Sequence, residues 1–117
     1  MQVPGGTIRD GEAPAAAASR EIAEETGLGG ATLGALRGEA AYRWRLPDRH
    51  RLDRRFFFHA TIAGAAPESW RHFEMEAENG SAPIAFDFSW WDLGEGMPTL
   101  THGQGDLLPR LRARLGF

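Results

Sequence analysis

The chain has 117 residues, which is enough for one domain with a single hydrophobic core and too few for two ordinary domains. Its hydrophobic fraction of 42% and charged fraction of 25% are typical of a soluble globular protein and argue against a disordered tail. With no cysteine and no apolar run near the roughly 18 residues of a membrane span, we expect no disulfide, no thiolate metal site and no membrane insertion, and we predict a cytoplasmic protein.

The first predicted element is a helix over residues 15–26. Pro14 suits the first turn of a helix, where its missing N–H costs no hydrogen bond. Strong helix formers follow until Gly27, which is well placed to end the helix. Small and apolar residues at helical spacing predict the stripe that packs against a sheet: Ala15, Ala18 and Ile22.

Three strands are predicted after this helix. Alternating apolar and polar residues indicate a half-buried strand around 42–46, a turn at Pro47-Asp48, a second strand over 54–62 and a third over 84–90. The glutamate-rich stretch 67–83 is expected to be a loop. A last helix is predicted over 107–115, with Asp106 as its cap and Pro109 in its first turn. This order predicts an α+β fold, an α/β/α sandwich in which a small mixed sheet lies between helices.

The first predicted helix carries an unusual cluster of like charges. Glu21, Glu24 and Glu25 stand at positions i, i+3 and i+4 and therefore project over one face. Their repulsion destabilises an isolated helix unless a hard cation such as Mg²⁺ lies among them. Arg20 precedes Glu24 by four residues and can hold its carboxylate in place. A solvated acidic face is the alternative reading of the three glutamates alone.

The full spacing of this segment resembles the Nudix box. Gly6 is followed after five residues by Glu12 and after seven more by the run Arg20-Glu21-Ile22-Ala23-Glu24-Glu25-Thr26-Gly27-Leu28, so that every specified position is matched. The resemblance implies a single domain with the Nudix fold over residues 1–117 and a loop–helix–loop metal site within the box. It also implies hydrolysis of a nucleoside diphosphate linked to another moiety. A non-catalytic, nucleotide-binding or regulatory Nudix domain is the alternative.

The resemblance assigns roles to individual residues. Glu21, Glu24 and Glu25 would bind Mg²⁺ or Mn²⁺, and Glu21 would also orient or deprotonate the attacking water. Gly5 would offer its carbonyl to the metal, and Arg20 would brace the carboxylates. Glu12 is expected to be structural, and the glycines are expected to permit close approach and, at Gly5 and Gly6, a positive φ.

Further acids and arginines are candidates for the same site. The family often adds an acid from a later loop, and Glu74, Glu76 and Glu78 fall in such a stretch without a motif that selects among them. Residues 37–55 contain seven arginines. Three of them lie opposite large apolar residues within their strands and could reach substrate phosphates, with a solvated strand face as the alternative: Arg43, Arg45 and Arg55.

Other residue types carry weaker signals. The tryptophans Trp70, Trp90 and Trp91 are expected to pack rather than stack on a base, and the four histidines show no ligand spacing. The net charge of −3 and the inward alternation of aromatics argue against nucleic-acid binding, so the expected partner is a small nucleotide.

The start of the sequence lies close to the box. Gln2 and Val3 read as the end of a strand stopped by Pro4-Gly5-Gly6, and family members place strands ahead of this point. We therefore expect the native start to lie earlier, with a second copy covering the uncovered sheet edge as the alternative.

Overall fold

The computed structural model describes residues 1–74 and 82–117. Within these ranges the chain forms two α-helices, four β-strands and a short 3₁₀ helix. In chain order they are α1 (Pro14–Thr26), β1 (Ala31–Arg45), β2 (His50–Ile62), β3 (Ser69–Glu74), β4 (Ile84–Ser89), the 3₁₀ helix Leu93–Glu95 and α2 (Leu108–Arg114).

Helix α1 confirms the first predicted element at both ends. Pro14 occupies its first turn, and Gly27 ends it with φ of 68° while donating its N–H to the carbonyl of Ala23. The predicted apolar stripe is present only in part, because Ala18 and Ile22 are half-buried and Ala15 is exposed. The residues that α1 buries are Ala17, Glu21, Glu25 and Thr26. Two of those four are carboxylates, so this helix turns its acidic face inward.

Strands β1 and β2 form a long antiparallel hairpin. They are paired from Ala31 opposite Ile62 to Arg45 opposite His50, with irregular register between Leu33 and Gly38. The predicted turn is confirmed: the N–H of Leu46 donates to the carbonyl of Arg49 across Pro47-Asp48. The strands are longer than the alternating segments that predicted them.

Strand β3 lies in a stretch that was expected to be a loop, and that expectation is wrong for residues 69–74. Ser69–Glu74 pairs antiparallel with Ile84–Ser89, which is the predicted third strand. Trp70 lies opposite Phe88, and the two rings stack with centroids 5.1 Å apart. Pairing with β4 and packing on α1 stabilise a strand whose own composition is too polar to predict one.

Helix α2 is shorter than predicted and is capped differently. Its N-cap is Leu107, with no side-chain hydrogen bond, and Pro109 lies in its first turn as expected. Asp106 does not cap the helix, because its carboxylate accepts a hydrogen bond from the hydroxyl of Tyr42.

The predicted α+β class is confirmed, but the strands pair differently from a single mixed sheet. In the described ranges they form two separate antiparallel pairs, β1–β2 and β3–β4. The strand end predicted at Gln2 and Val3 is absent; Val3 instead donates its backbone N–H to the side chain of Gln104. Among the described residues, no helix is both long and apolar enough to cross a membrane.

Candidate metal and catalytic site

Three carboxylates from two elements meet beside helix α1. Glu21 and Glu24 come from the helix and Glu74 from the last position of β3. One oxygen of each carboxylate lies within 4.8 Å of the others. The sequence offered three acids for this position without selecting among them, and the structure brings in Glu74. Glu76 and Glu78 lie outside the described residues.

Strand β3 reaches this position because every second side chain of the strand contacts the C-terminal end of α1. The indole N–H of Trp70 donates to the carbonyl of Thr26 over 2.9 Å. Two residues later the His72 ring packs on Gly27, where a Cβ would lie 2.6 Å from its Nδ1. Two residues further, Glu74 enters the carboxylate cluster. Because side chains alternate between the two faces of a strand, Trp70, His72 and Glu74 share the face of β3 that lies beside the C-terminal end of α1.

Arg20 is the cation that organises the cluster. Its Nη1 lies 2.7 Å from a carboxylate oxygen of Glu21 and 3.2 Å from one of Glu24. Its Nε and Nη2 hold both oxygens of Glu12 at 2.9 Å, and Nη2 also donates to the carbonyl of Thr7. The expected pair with Glu24 is present, within a network that also fixes Glu21. A guanidinium suits this task because its donors are planar and diverge in a fixed geometry.

Glu12 lies just ahead of α1 and accepts the backbone N–H of Arg9 as well as the two bonds from Arg20. The hydrogen bonds from Arg20, then that from Arg9, lower its pKa to about 2. Glu12 thus stays ionised and anchors Arg20, which agrees with the structural role expected from its position.

Glu25 is a buried acid beside the cluster. Both Glu25 and Glu21 are only 5% exposed. Burial raises the pKa of Glu25 to about 7, repulsion from Glu21, Glu74 and Glu24 adds to the rise, and a hydrogen bond from Gly5 opposes it. The backbone N–H of Gly5 donates to Glu25 over 3.0 Å. Gly5 therefore contacts the acidic face through its N–H.

Glycine is needed at position 6 because the Glu21 carboxylate lies close to its backbone, and not because of its backbone angles. A Cβ at this position would lie 2.2 Å from both Cδ and one carboxylate oxygen of Glu21. Positive φ was expected at Gly5 and Gly6, and that expectation is wrong because neither residue adopts it. The absent side chain of Gly6 leaves the space that the Glu21 carboxylate occupies.

The donor set fits a hard divalent cation. Carboxylate oxygens are the preferred protein ligands of Mg²⁺ and Mn²⁺, and a cation offsets the repulsion among converging acids. Glu21, Glu24 and Glu74 converge, and Glu25 adds a fourth acid on the same side of α1. The residues present therefore suit the metal that the sequence motif implies.

The three candidate arginines do not share one face of the hairpin. Arg43 pairs across the strands with Leu52, whereas Arg55 pairs with Ala40, two residues from Tyr42 on the same face. Arg55 lies 4.2 Å from the Tyr42 ring centroid and donates to the carbonyl of His102. Arg43 and Arg45 are exposed on the opposite face, so the register separates them from Arg55.

Trp70 and Trp90 make the expected packing contacts, whereas Trp91 is 48% exposed and donates its indole N–H to the carbonyl of Gly96. Trp70 stacks on Phe88 and lies 5.8 Å from Trp90, whose indole N–H donates to the carbonyl of Pro67. The sequence reasoning missed Trp70 and His72 as residues that position the site. The sequence carries little signal for them, because Phe73 and Glu74 break the polar–aromatic alternation that begins at Ser69.

Comparison with protein families gives one result for this chain. The family model described as NUDIX domain matches residues 1–111. Comparisons with curated proteins and with solved structures give no match. The matched residues include the whole box, the helix that carries its glutamates and the strand that brings Glu74. The chain therefore belongs to the Nudix family.

Proposed function

We propose that this protein is a Mg²⁺-dependent pyrophosphohydrolase that cleaves the diphosphate linkage of a nucleoside diphosphate joined to another moiety. The observation that carries the proposal is the convergence of Glu21, Glu24 and Glu74 within 4.8 Å. Arg20 offsets part of the repulsion between Glu21 and Glu24, and a divalent cation among the three carboxylates would offset the repulsion that Glu74 adds. Membership of the Nudix family supports the same conclusion.

The chain's own residues divide the work. Glu21, Glu24 and Glu74 would hold the metal, with Glu25 beside them. When bound, the metal neutralises charge on the diphosphate oxygens as the P–O bond breaks. Arg20 fixes the orientation of the Glu21 carboxylate, which orients or deprotonates the water that attacks phosphorus.

The decisive experiment is a panel of nucleoside diphosphate derivatives incubated with the protein and Mg²⁺. Phosphate is measured after a coupling phosphatase, with chelator added in a parallel series. We expect at least one substrate to turn over at about 1–1000 per second and to require the metal. Glu21→Gln keeps the size of the side chain, and we expect it to lower kcat by about 10²–10⁴-fold.

Glu68→Gln is the matched control, since Glu68 is an exposed acid in the loop before β3. It should keep full activity. Binding of nucleotides without turnover by the unmodified chain would instead favour the non-catalytic alternative. Equal turnover by Glu21→Gln and the unmodified protein would contradict the assignment of Glu21.

A further inference from the structure

Arg9 is an exposed arginine at the edge of the carboxylate cluster. Its Nη2 lies 3.8 Å from a carboxylate oxygen of Glu24, and the two side chains are 53% and 34% exposed. That separation exceeds a hydrogen bond, and among the described residues the Arg9 guanidinium has no hydrogen-bond partner. Arg9 therefore lies beside the cluster with its side-chain donors unused.

Arg20 also contacts the cluster, but its side chain is already engaged. It is only 15% exposed, and all three of its guanidinium nitrogens bind protein oxygens of the network described above. Arg20 cannot turn to a ligand without breaking the contacts that orient Glu21. Of these two arginines, Arg9 is the one whose donors are available to a ligand.

The backbone of Arg9 is held in place although its side chain is exposed. Its N–H donates to the Glu12 carboxylate over 3.0 Å, and its carbonyl accepts the N–H of Glu12 over 3.0 Å. Gly11, with φ of 76°, lets the chain turn between these two residues. Because Glu12 is also bound by Arg20, the turn that presents Arg9 is joined to the network of the acidic site. The guanidinium thus extends from a fixed base at the edge of the cluster.

The substrate of the proposed reaction needs a cation beside this cluster. Glu21, Glu24 and Glu74 are all acids, and Arg20 balances only part of their charge. A diphosphate brings further negative charge, so its binding depends on cations that offset the repulsion. A guanidinium suits phosphate because two of its N–H groups can bind two phosphate oxygens at once. Arg9 supplies such a group at the exposed edge of the cluster.

We propose that Arg9 binds a phosphate group of the substrate and that, in the unliganded chain, its contact with Glu24 holds it at the edge of the cluster. This inference rests on the proposed function, since it assigns a substrate contact at the same site. Two cations beside one carboxylate repel each other. Arg9 therefore weakens metal binding while it contacts Glu24 and ceases to do so when it contacts phosphate.

The first measurement is the affinity for Mg²⁺, which does not require turnover. Titration calorimetry compares the unmodified chain with Arg9→Gln, which removes the charge and keeps a polar side chain. We expect Arg9→Gln to bind Mg²⁺ about two- to fivefold more tightly, the factor that corresponds to one exposed ion pair. Arg9→Lys keeps the charge and should bind Mg²⁺ as the unmodified chain does. A residue that only supported the fold would give weaker Mg²⁺ binding when replaced.

The second measurement is the affinity for phosphate groups. Methylenediphosphonate, whose P–C–P bridge resists hydrolysis, is titrated into the protein in saturating Mg²⁺, and KM and kcat are measured for any substrate that turns over. We expect Arg9→Gln to weaken binding of this probe and to raise KM by about tenfold each, with kcat within about threefold. Arg9→Lys should give a smaller loss, because an ammonium group lacks the paired donors.

Arg49→Gln is the matched control, because Arg49 is an exposed arginine in the turn between β1 and β2. It should leave the affinities for Mg²⁺ and for the probe unchanged. Mg²⁺ binding by Arg9→Gln that is no tighter than that of the unmodified chain would overturn the proposal, and so would equal binding of the probe by the two proteins. Absence of turnover for every substrate would contradict the proposed function instead, because neither binding measurement depends on turnover.

Discussion

The polar network around Arg20 and the apolar cleft between the two strand pairs differ in how completely their groups are covered or partnered. Around Arg20 the polar groups form a closed network in which each oxygen of Glu12 and the carboxylates of Glu21 and Glu24 have partners within 3.2 Å. The cleft between the β1–β2 and β3–β4 pairs is apolar, about 700 Å³ in volume and open to solvent. The charged site is thus organised by this chain alone, while the hydrophobic surface beside it is left uncovered.

This difference follows from how far apart in the sequence the residues of each part lie. The network joins residues that are mostly within twenty positions of one another, so a single loop and helix specify it. A hydrophobic core needs several elements to close around the same volume, and its contacts extend over the whole chain. The site can therefore be well ordered in a fold whose core is sparse.

The sharpest way to break the ordered region is to fill the space at Gly6. In Gly6→Ala the new Cβ would lie 2.2 Å from the Glu21 carboxylate, so either that side chain or the loop must move. A displacement of about 1 Å in catalytic positioning lowers rates by about 100-fold. We expect kcat to fall by at least that factor and the stabilisation of the fold by Mg²⁺ to diminish, measured by turnover and by thermal melts with and without the metal.

Gly29→Ala is the control for this change. Gly29 also lies near the end of α1, and a Cβ there would meet nothing within 4 Å. We expect its turnover and its response to Mg²⁺ to match those of the unmodified chain. Equal activity of Gly6→Ala and Gly29→Ala would show that the close approach to Glu21 does not matter.

The same contrast explains what the sequence could predict. Pro14 and Gly27 bound helix α1 because their backbone preferences act locally, and the spacing from Gly6 to Leu28 identified the acidic site. Glu74 could not be singled out, since its place depends on β3 pairing with β4 and packing on α1. The inward turn of Glu21 and Glu25 was also missed, because apolar periodicity assumes that carboxylates face solvent.

The faces of the hairpin arginines are a second feature that the pattern within each strand did not predict. Arg43, Arg45 and Arg55 each lie opposite apolar neighbours within their own strands, yet pairing of the strands places Arg55 on the other face. Only the register of the hairpin, which is regular from its turn to Gly38, decides which arginines share a face.

This separation makes the arginine prediction sharper. Arg55 lies beside the loop that contains His102 and Gln104, and Gln104 holds Val3 just ahead of Gly5. We therefore expect Arg55→Ala to raise KM about tenfold, in line with the loss of one charge-assisted contact to phosphate. Steady-state kinetics of Arg43→Ala and Arg45→Ala, which share the opposite face, provide the comparison. An equal rise in KM for all three variants would contradict a binding surface limited to one face.

The smallest expected effect concerns the acid that anchors Arg20. The pKa of Glu12 is about 2 in the folded chain because Arg20 and the N–H of Arg9 stabilise its charged form, against 4.5 as the ordinary value. Between these values the unfolded state binds more protons than the folded state, so stability falls as pH decreases from about 4.5 towards 2. In Glu12→Gln this titration is gone. We expect the variant to be less stable than the unmodified chain at pH 7 and the difference to shrink through that acid range, measured by denaturant melts at successive pH values.

Glu68→Gln removes an exposed carboxylate outside the network and should leave the slope of stability against pH unchanged. A gap between Glu12→Gln and the unmodified chain that stays constant from pH 7 to pH 2 would mean that Arg20 does not depend on the ionised form of Glu12.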